Sequence, residues 1–137
     1  MTSRPKKGSF AEAMPGSGSA RVGVEPTGSA TMTAALTAGE PVVAEVGGVA
    51  ADSLGSARVG ENTFPIVRDH VDRVVLIEDD AIREAQRAYW TECRVIAEPG
   101  GAAALAALRS GAYVPAAGER VCVLASGANC DPSTVKG

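Results

Sequence analysis

Aromatic rings make up only 4% of this 137-residue chain, and 13 Lys plus Arg against 16 Asp plus Glu leave a net charge of −3. A phosphate backbone would find no basic face and bases few rings to stack on, which argues against nucleic-acid binding. Long apolar runs are also missing. The longest, residues 102–108, is far short of the roughly 18 residues that a bilayer crossing needs. The basic opening Met1-Thr2-Ser3-Arg4-Pro5-Lys6-Lys7 is not followed by the apolar stretch of a secretory signal, so the expected location is the cytoplasm. Cys93, Cys122 and Cys130 are odd in number and widely spaced, with His70 the single histidine. That excludes a zinc or disulfide framework. Cys93 and Cys122 fall inside apolar patterns and are expected to be core thiols.

What is present is an alternation of short apolar runs and helical patterns. Residues 1–19, rich in Gly, Ser, Pro and Lys, read as a flexible leader to a structured portion over 20–137. Residues 21–24 are β-like and should stop at Glu25-Pro26, because proline restricts both itself and the residue before it. Residues 31–38 close on Gly39 and predict a short helix. Residues 41–51 are ambiguous between strand and loop, interrupted by Gly47-Gly48, with a single turn expected over 51–55. Asn62 and Pro65 open a helix that runs to about His70.

Val74-Val75-Leu76-Ile77 has the composition of a strand buried on both faces, and Glu78-Asp79-Asp80 suits the positive end of the next helix. Apolar residues at Ile82, Ala85, Tyr89, Cys93 and Ile96 predict that helix over 80–95. Glu98-Pro99-Gly100-Gly101 leads into a helix over 102–110 that closes on Gly111, with side chains small enough for close packing. Residues 121–125 predict a buried strand. Strands separated by helices imply a parallel α/β sheet. Three assured strands are thin for that class, so the chain reads as part of a larger sheet, with residues 21–24 exposing an edge prone to self-pairing or aggregation.

Ligands of open parallel sheets sit beyond the carboxyl ends of the strands. Two segments qualify. Ser126-Gly127-Ala128-Asn129 offers a hydroxyl, an amide and a glycine for close backbone approach, or is simply a polar turn. Glu98-Pro99-Gly100-Gly101 places a carboxylate before a helix, where the glycines would admit a flat ring or another backbone; the alternative is an acidic cap. His70, between Arg68-Asp69 and Asp72, fits a solvated, charge-compensated side chain better than a catalytic base.

Read together, Val22-Gly23-Val24-Glu25-Pro26, Asn62-Thr63-Phe64-Pro65, Val74-Val75-Leu76-Ile77, Glu98-Pro99-Gly100-Gly101-Ala102 and residues 121–131 resemble the C-terminal part of the pyridoxal-phosphate-dependent serine/threonine dehydratases, a family that includes serine racemase. The resemblance covers about residues 20–134. It implies part of a three-layer parallel sheet, the later portion of the large domain of the tryptophan-synthase-β-like fold. It makes Ser126 the hydroxyl that bonds the pyridine nitrogen, with Gly127 and Asn129 in the same loop and Glu98 and Gly101 beside the ring. Ala128 departs from the family's second glycine and adds a methyl where that loop should come close. Glu25, with Ser29, matches a site for Mg2+ or Ca2+, although Thr31 stands where the family has an aspartate, which should weaken it. A purely structural Glu-Pro strand end is the alternative.

The family's Schiff-base lysine and glycine-rich phosphate loop lie upstream of the matching region. Lys6, Lys7 and Lys136 are the chain's only lysines and lie close to its ends, and Gly16-Ser17-Gly18-Ser19 is neither preceded by a strand nor followed by a helix. No residue of this chain is therefore assigned a catalytic role. The expectation is a fragment of a threonine or serine dehydratase, inactive alone. The alternative is a noncatalytic assembly or binding module, pairing with a separate chain that carries the N-terminal half or forming a homo-oligomer.

Overall fold

The structure, a computed structural model, describes residues 19–135. The expected leader, apart from Ser19, and all three lysines lie outside the described residues. Strands β1 (Val22–Pro26) and β2 (Arg73–Ile77) pair in parallel, with Val22 opposite Arg73 and Pro26 opposite Ile77. The strand therefore continues through Glu25 and Pro26 instead of stopping before them. Pro26 has no N–H to give, so a ladder that includes it must run its bonds through Gly23 and Glu25. Val22, Val24 and Pro26 consequently turn their backbone groups to the opposite edge. The Arg21 carbonyl, which accepts from the Asp72 N–H at 2.9 Å, obeys the same alternation.

Helix α1 (Thr31–Ala38) ends on Gly39, whose φ of 79° is the left-handed geometry that favours glycine. After α1, residues 40–50 form a loop with a single antiparallel bridge, Val43 to Arg58. Helix α2 (Ala51–Leu54) and helix α3 (Thr63–His70) follow, and Phe64 packs with Ala35 and Val59 in a small second core. The pairing of Arg68 with Asp69 holds at 2.9 Å.

Helix α4 (Asp79–Ala88) carries the expected apolar stripe, with Ile82 and Ala85 fully buried. It gives way to a π-helical turn over Tyr89–Cys93 and ends on Arg94 at φ 57°, so the helix predicted to 95 is shorter than its pattern. Helix α5 (Pro99–Arg109) begins three residues earlier than expected, at the proline itself. The main core joins Ile77, Ile82 and Ala85 to the buried alanines 102, 103, 106 and 107 of α5, and each methyl contributes by letting backbones approach rather than by bulk. The buried Gln86 amide donates to the Ala97 carbonyl at 2.8 Å, fixing the chain just ahead of α5.

Three expectations are corrected. Residues 121–125 are not a strand: a strand needs a partner's peptide groups, and among the described residues these make no backbone hydrogen bond; Leu124 is 73% exposed. Residues 74–77 are not buried on both faces, with Leu76 exposed and Ile77 buried. Cys93 and Cys122 are exposed, because the π turn and the unpaired segment carry them out of the core. The described sheet thus has two strands. No helix in the described residues is long and apolar enough to cross a membrane.

Segment 121–125 is nevertheless anchored at its start. Tyr113, buried under α5 with the Arg73 guanidinium 4.8 Å from its ring centre, donates to the Glu119 carboxylate, which also accepts from the Ala116 N–H at 2.7 Å. The Tyr113 hydrogen bond, then the Ala116 N–H, holds the Glu119 carboxyl below its ordinary range. The same bond, then burial, pushes the Tyr113 hydroxyl above its own. A lowered carboxylate stabilises above its unfolded pKa and loses that contribution as pH falls through the folded value; a raised phenol stabilises below its unfolded pKa and loses it as pH rises. The clamp should therefore hold from the carboxylate range up to the tyrosine range. In a Tyr89→Phe background, the tyrosine absorbance should titrate above the ordinary midpoint of about 10 and fall back towards it in Glu119→Gln.

Candidate functional site

The carboxyl ends of β1 and β2 are tied into one rim. The Thr27 hydroxyl donates to Glu78 at 2.9 Å, and the Asp79 carboxylate accepts the Val49 N–H at 3.0 Å. Gly48, at φ 82°, lies where an added Cβ would sit 2.8 Å from an Asp79 oxygen. Both constraints call for glycine. Helix α2, at the end of this loop, brings the Ser53 hydroxyl to the Gly100 N–H at 2.9 Å. The rim thereby reaches the start of α5, and from there the loop after segment 121–125.

Glu98, Gly101 and Gly127 meet. The Glu98 N–H donates to the Gly127 carbonyl at 2.9 Å. A Cβ on Gly101 would lie 2.5 Å from the Gly127 oxygen, and one on Gly127 would overlap the Glu98 carboxylate. Of the two approaches considered for the α5 glycines, the structure takes that of another backbone. Glu98 occupies the cap position of α5 without its side chain bonding the helix, so it is not an acidic cap. Its carboxylate faces the loop instead. The nearby Cys130 thiol is pushed up, first by desolvation and then by the charges of Glu98 and Asp131, which keeps it a thiol at neutral pH.

Ser126 and Asn129 flank this contact, both exposed and neither hydrogen-bonded to a described residue. The rim holds their backbone and leaves their side chains unengaged. A groove of about 660 Å³ runs between β1 and residues 121–123, and its lining stops three residues short of Ser126. Within the described residues the Ser126 loop is one wall, not an enclosed pocket.

Glu25 and Ser29 do not form a cation site. The Glu25 carboxylate accepts from the N–H groups of Met32 and Thr33 at 2.7 and 2.8 Å and from the Thr33 hydroxyl at 2.7 Å. It caps α1 from the end of β1, offsetting free donors that the local residue Ala30 cannot satisfy. The Ser29 hydroxyl is 1% exposed and bonds Gly47 in both directions. Both oxygens are committed to backbone, and no cluster of three metal-ligating side chains occurs in the described residues.

The contributions of Ser53 and Asp79 were missed in the sequence because each acts on a backbone N–H 47 or 30 residues away. The one available signal was the glycine at each receiving end. His70 is half-exposed, and its carbonyl, rather than its ring, receives a bond, from Arg21 at 3.3 Å.

Comparison with known proteins places this geometry. The family described as pyridoxal-phosphate dependent enzyme matches residues 9–127. A threonine dehydratase of Nicotiana attenuata is 41% identical over 116 residues, covering 84% of this chain and 19% of the relative. An L-threonine ammonia-lyase of Geobacter sulfurreducens is 38% identical over 114 residues, covering 83% and 28%. Among solved structures, threonine deaminase isoform 2 of Solanum lycopersicum superposes with a TM-score of 0.78 at 35% identity, covering 91% of this chain and 36% of that one. Maize serine racemase gives 0.58 at 35% identity, covering 63% and 27%. The chain spans less than a third of the length of both curated relatives.

Two outcomes follow from the site. Glu25→Ala should lower stability by about 1 kcal/mol, the usual effect of losing a helix cap, while millimolar Mg2+ or Ca2+ leaves the melting temperature of the parent chain unchanged. Gly101→Ala should cost about 1–3 kcal/mol by overpacking against Gly127, measured from urea midpoints.

Proposed function

The chain belongs to the pyridoxal-phosphate-dependent enzyme family, and we propose that it supplies one wall of the cofactor site of a threonine or serine dehydratase. The α/β fold is that of the tryptophan-synthase-β-like enzymes. The proposed reaction is an ammonia-lyase reaction: water is eliminated from L-threonine or L-serine, and water taken up on release gives a 2-oxo acid and ammonia. Pyridoxal phosphate, when bound, supplies an aldehyde that holds the amino group and a conjugated ring that draws electrons from the α-carbon.

The observation that carries the proposal is the pair of unengaged polar side chains, Ser126 and Asn129, on a loop whose backbone is held by Glu98 and Gly101. These residues fit the cofactor as neutral donors on a fixed backbone at the carboxyl end of the sheet. Ser126 would bond the ring nitrogen. As a hydroxyl it carries no charge, so it leaves that nitrogen unprotonated and moderates electron withdrawal, which suits elimination. Gly127 would let the loop lie flat, and Glu98 holds it through its N–H. The lysine that carries the cofactor and moves the α-proton is proposed to belong to polypeptide outside these 137 residues.

A second reading, a noncatalytic assembly module, is favoured by the open edge of β1. The two separate on mixing. The chain, combined with a lysine-bearing remainder from a homologous threonine dehydratase, pyridoxal phosphate and L-threonine, should release 2-oxo acid, and the chain alone should not. Ser126→Ala in the mixture should lower kcat by about tenfold, the value of one hydrogen bond, and shift the visible absorption of the bound cofactor. Turnover by the chain alone would defeat the lysine argument. A complex that forms but is silent with either substrate would leave the assembly reading.

A further inference from the structure

The groove between β1 and residues 121–123 has the properties of a vacant place in a sheet. Its floor is the α5 face of Ala104, Ala107 and Leu108, and its walls are Val22 and Val24 on one side and Val121 and Val123 on the other. The β1 wall turns the N–H and C=O groups of Val22 and Val24 toward it, by the parity that Pro26 imposes. Facing it, residues 121–126 make no backbone hydrogen bond to the described residues. That second wall is nonetheless held at both ends, by Tyr113 with Glu119 at the start and by Glu98 with Gly127 at the finish. Ser19 and Ala20 lie with Glu119 and Arg120 at one end of the groove, so the two walls run in the same direction.

We infer that this groove accepts a single extended apolar strand, parallel to β1 and hydrogen-bonded on both sides, supplied by polypeptide outside residues 19–135. At a rise of ~3.3 Å, a strand spacing of ~4.8 Å and a layer spacing of ~10 Å, each strand residue occupies about 160 Å³. A groove of 660 Å³ therefore holds about four residues, close to the five of β1. Two polar walls require an occupant with both edges free. A second copy's β1 does not qualify, because β2 already takes one of its edges. Nor do residues 1–18, which contain no valine, isoleucine or leucine. The remaining occupant is a Val/Ile-rich segment of the polypeptide that completes the enzyme, so the identity of the donor rests on the function proposed above, while the slot does not.

Cys122 lines the groove and is exposed, whereas Cys93 is exposed on the π turn away from it, and the pair makes an internal control. The full chain is alkylated with N-ethylmaleimide, with and without a capped peptide Lys-Val-Val-Ile-Ala-Val-Lys, and each cysteine is followed by peptide mass spectrometry. Cys122 should be protected about tenfold while Cys93 is unaffected. N-methylation of alternate residues along either edge of the peptide should abolish protection, since both walls are used. Ala104→Glu, at a half-buried floor position, should do the same with an unchanged far-UV circular dichroism spectrum. Ser126→Ala should leave protection intact, so failure of the cofactor site and failure of the slot are distinguishable. Equal reactivity of Cys122 with and without peptide overturns the inference. Protection that survives methylation of one edge reduces the slot to simple edge pairing and overturns it too. Protection present without peptide and lost on deleting residues 1–18 assigns the groove to the chain's own leader and overturns it as well.

Discussion

A peptide N–H directed into an apolar groove costs about 1–3 kcal/mol unless something accepts from it, and β1 directs those of Val22 and Val24 away from the strand it pairs with. The cause is a single residue. Pro26 can join the parallel ladder only at a position where no N–H is required, and strand alternation then settles which edge every other β1 residue faces. The placement of the groove, the unpaired segment beside it and the apolar floor below follow from that parity. So does the reason the described sheet stops at two strands although the sequence carries a third strand-like run.

The rim at the carboxyl ends of the strands is organised differently, by side chains and glycines that serve backbone. Glu25 caps α1, Asp79 holds Val49, Ser53 holds Gly100, and Ser29 holds Gly47. Each is a charged or polar group whose chemistry is spent on a free N–H or C=O, which is why none of them is available to a metal. Ser126 and Asn129 stand apart because their own side chains are unengaged while their backbone is locked through Gly127. In an α/β site this division is useful: a rigid loop fixes the position of a hydroxyl without competing for its hydrogen bond.

The helices were legible wherever a local signal existed. The stripe of Ile82 and Ala85, the Gly39 terminus and the proline entrance of α5 are decided within a turn or two of chain, and the structure agrees to within a few residues at these points. What misled was burial read from composition. Residues 121–125 and Cys122 carry the pattern of a core strand, and Leu76 that of a two-sided one, yet all depend on neighbours that these described residues do not provide. Glu25 was misassigned for a related reason: a carboxylate at a strand end looks the same in sequence whether it faces a cation or the start of a helix.

By itself, then, the sequence determined the order of strands and helices, the loops at which a ligand could sit, and a resemblance strong enough to name the family, because periodicity, caps and motif order are properties of neighbouring residues. Tertiary structure alone decided which glycine meets which backbone across the rim, that Glu25 serves a helix, and that one edge of β1 stays open. Those outcomes depend on distances between residues tens of positions apart, and a hydrogen bond or a van der Waals overlap is settled only when both partners have been brought together.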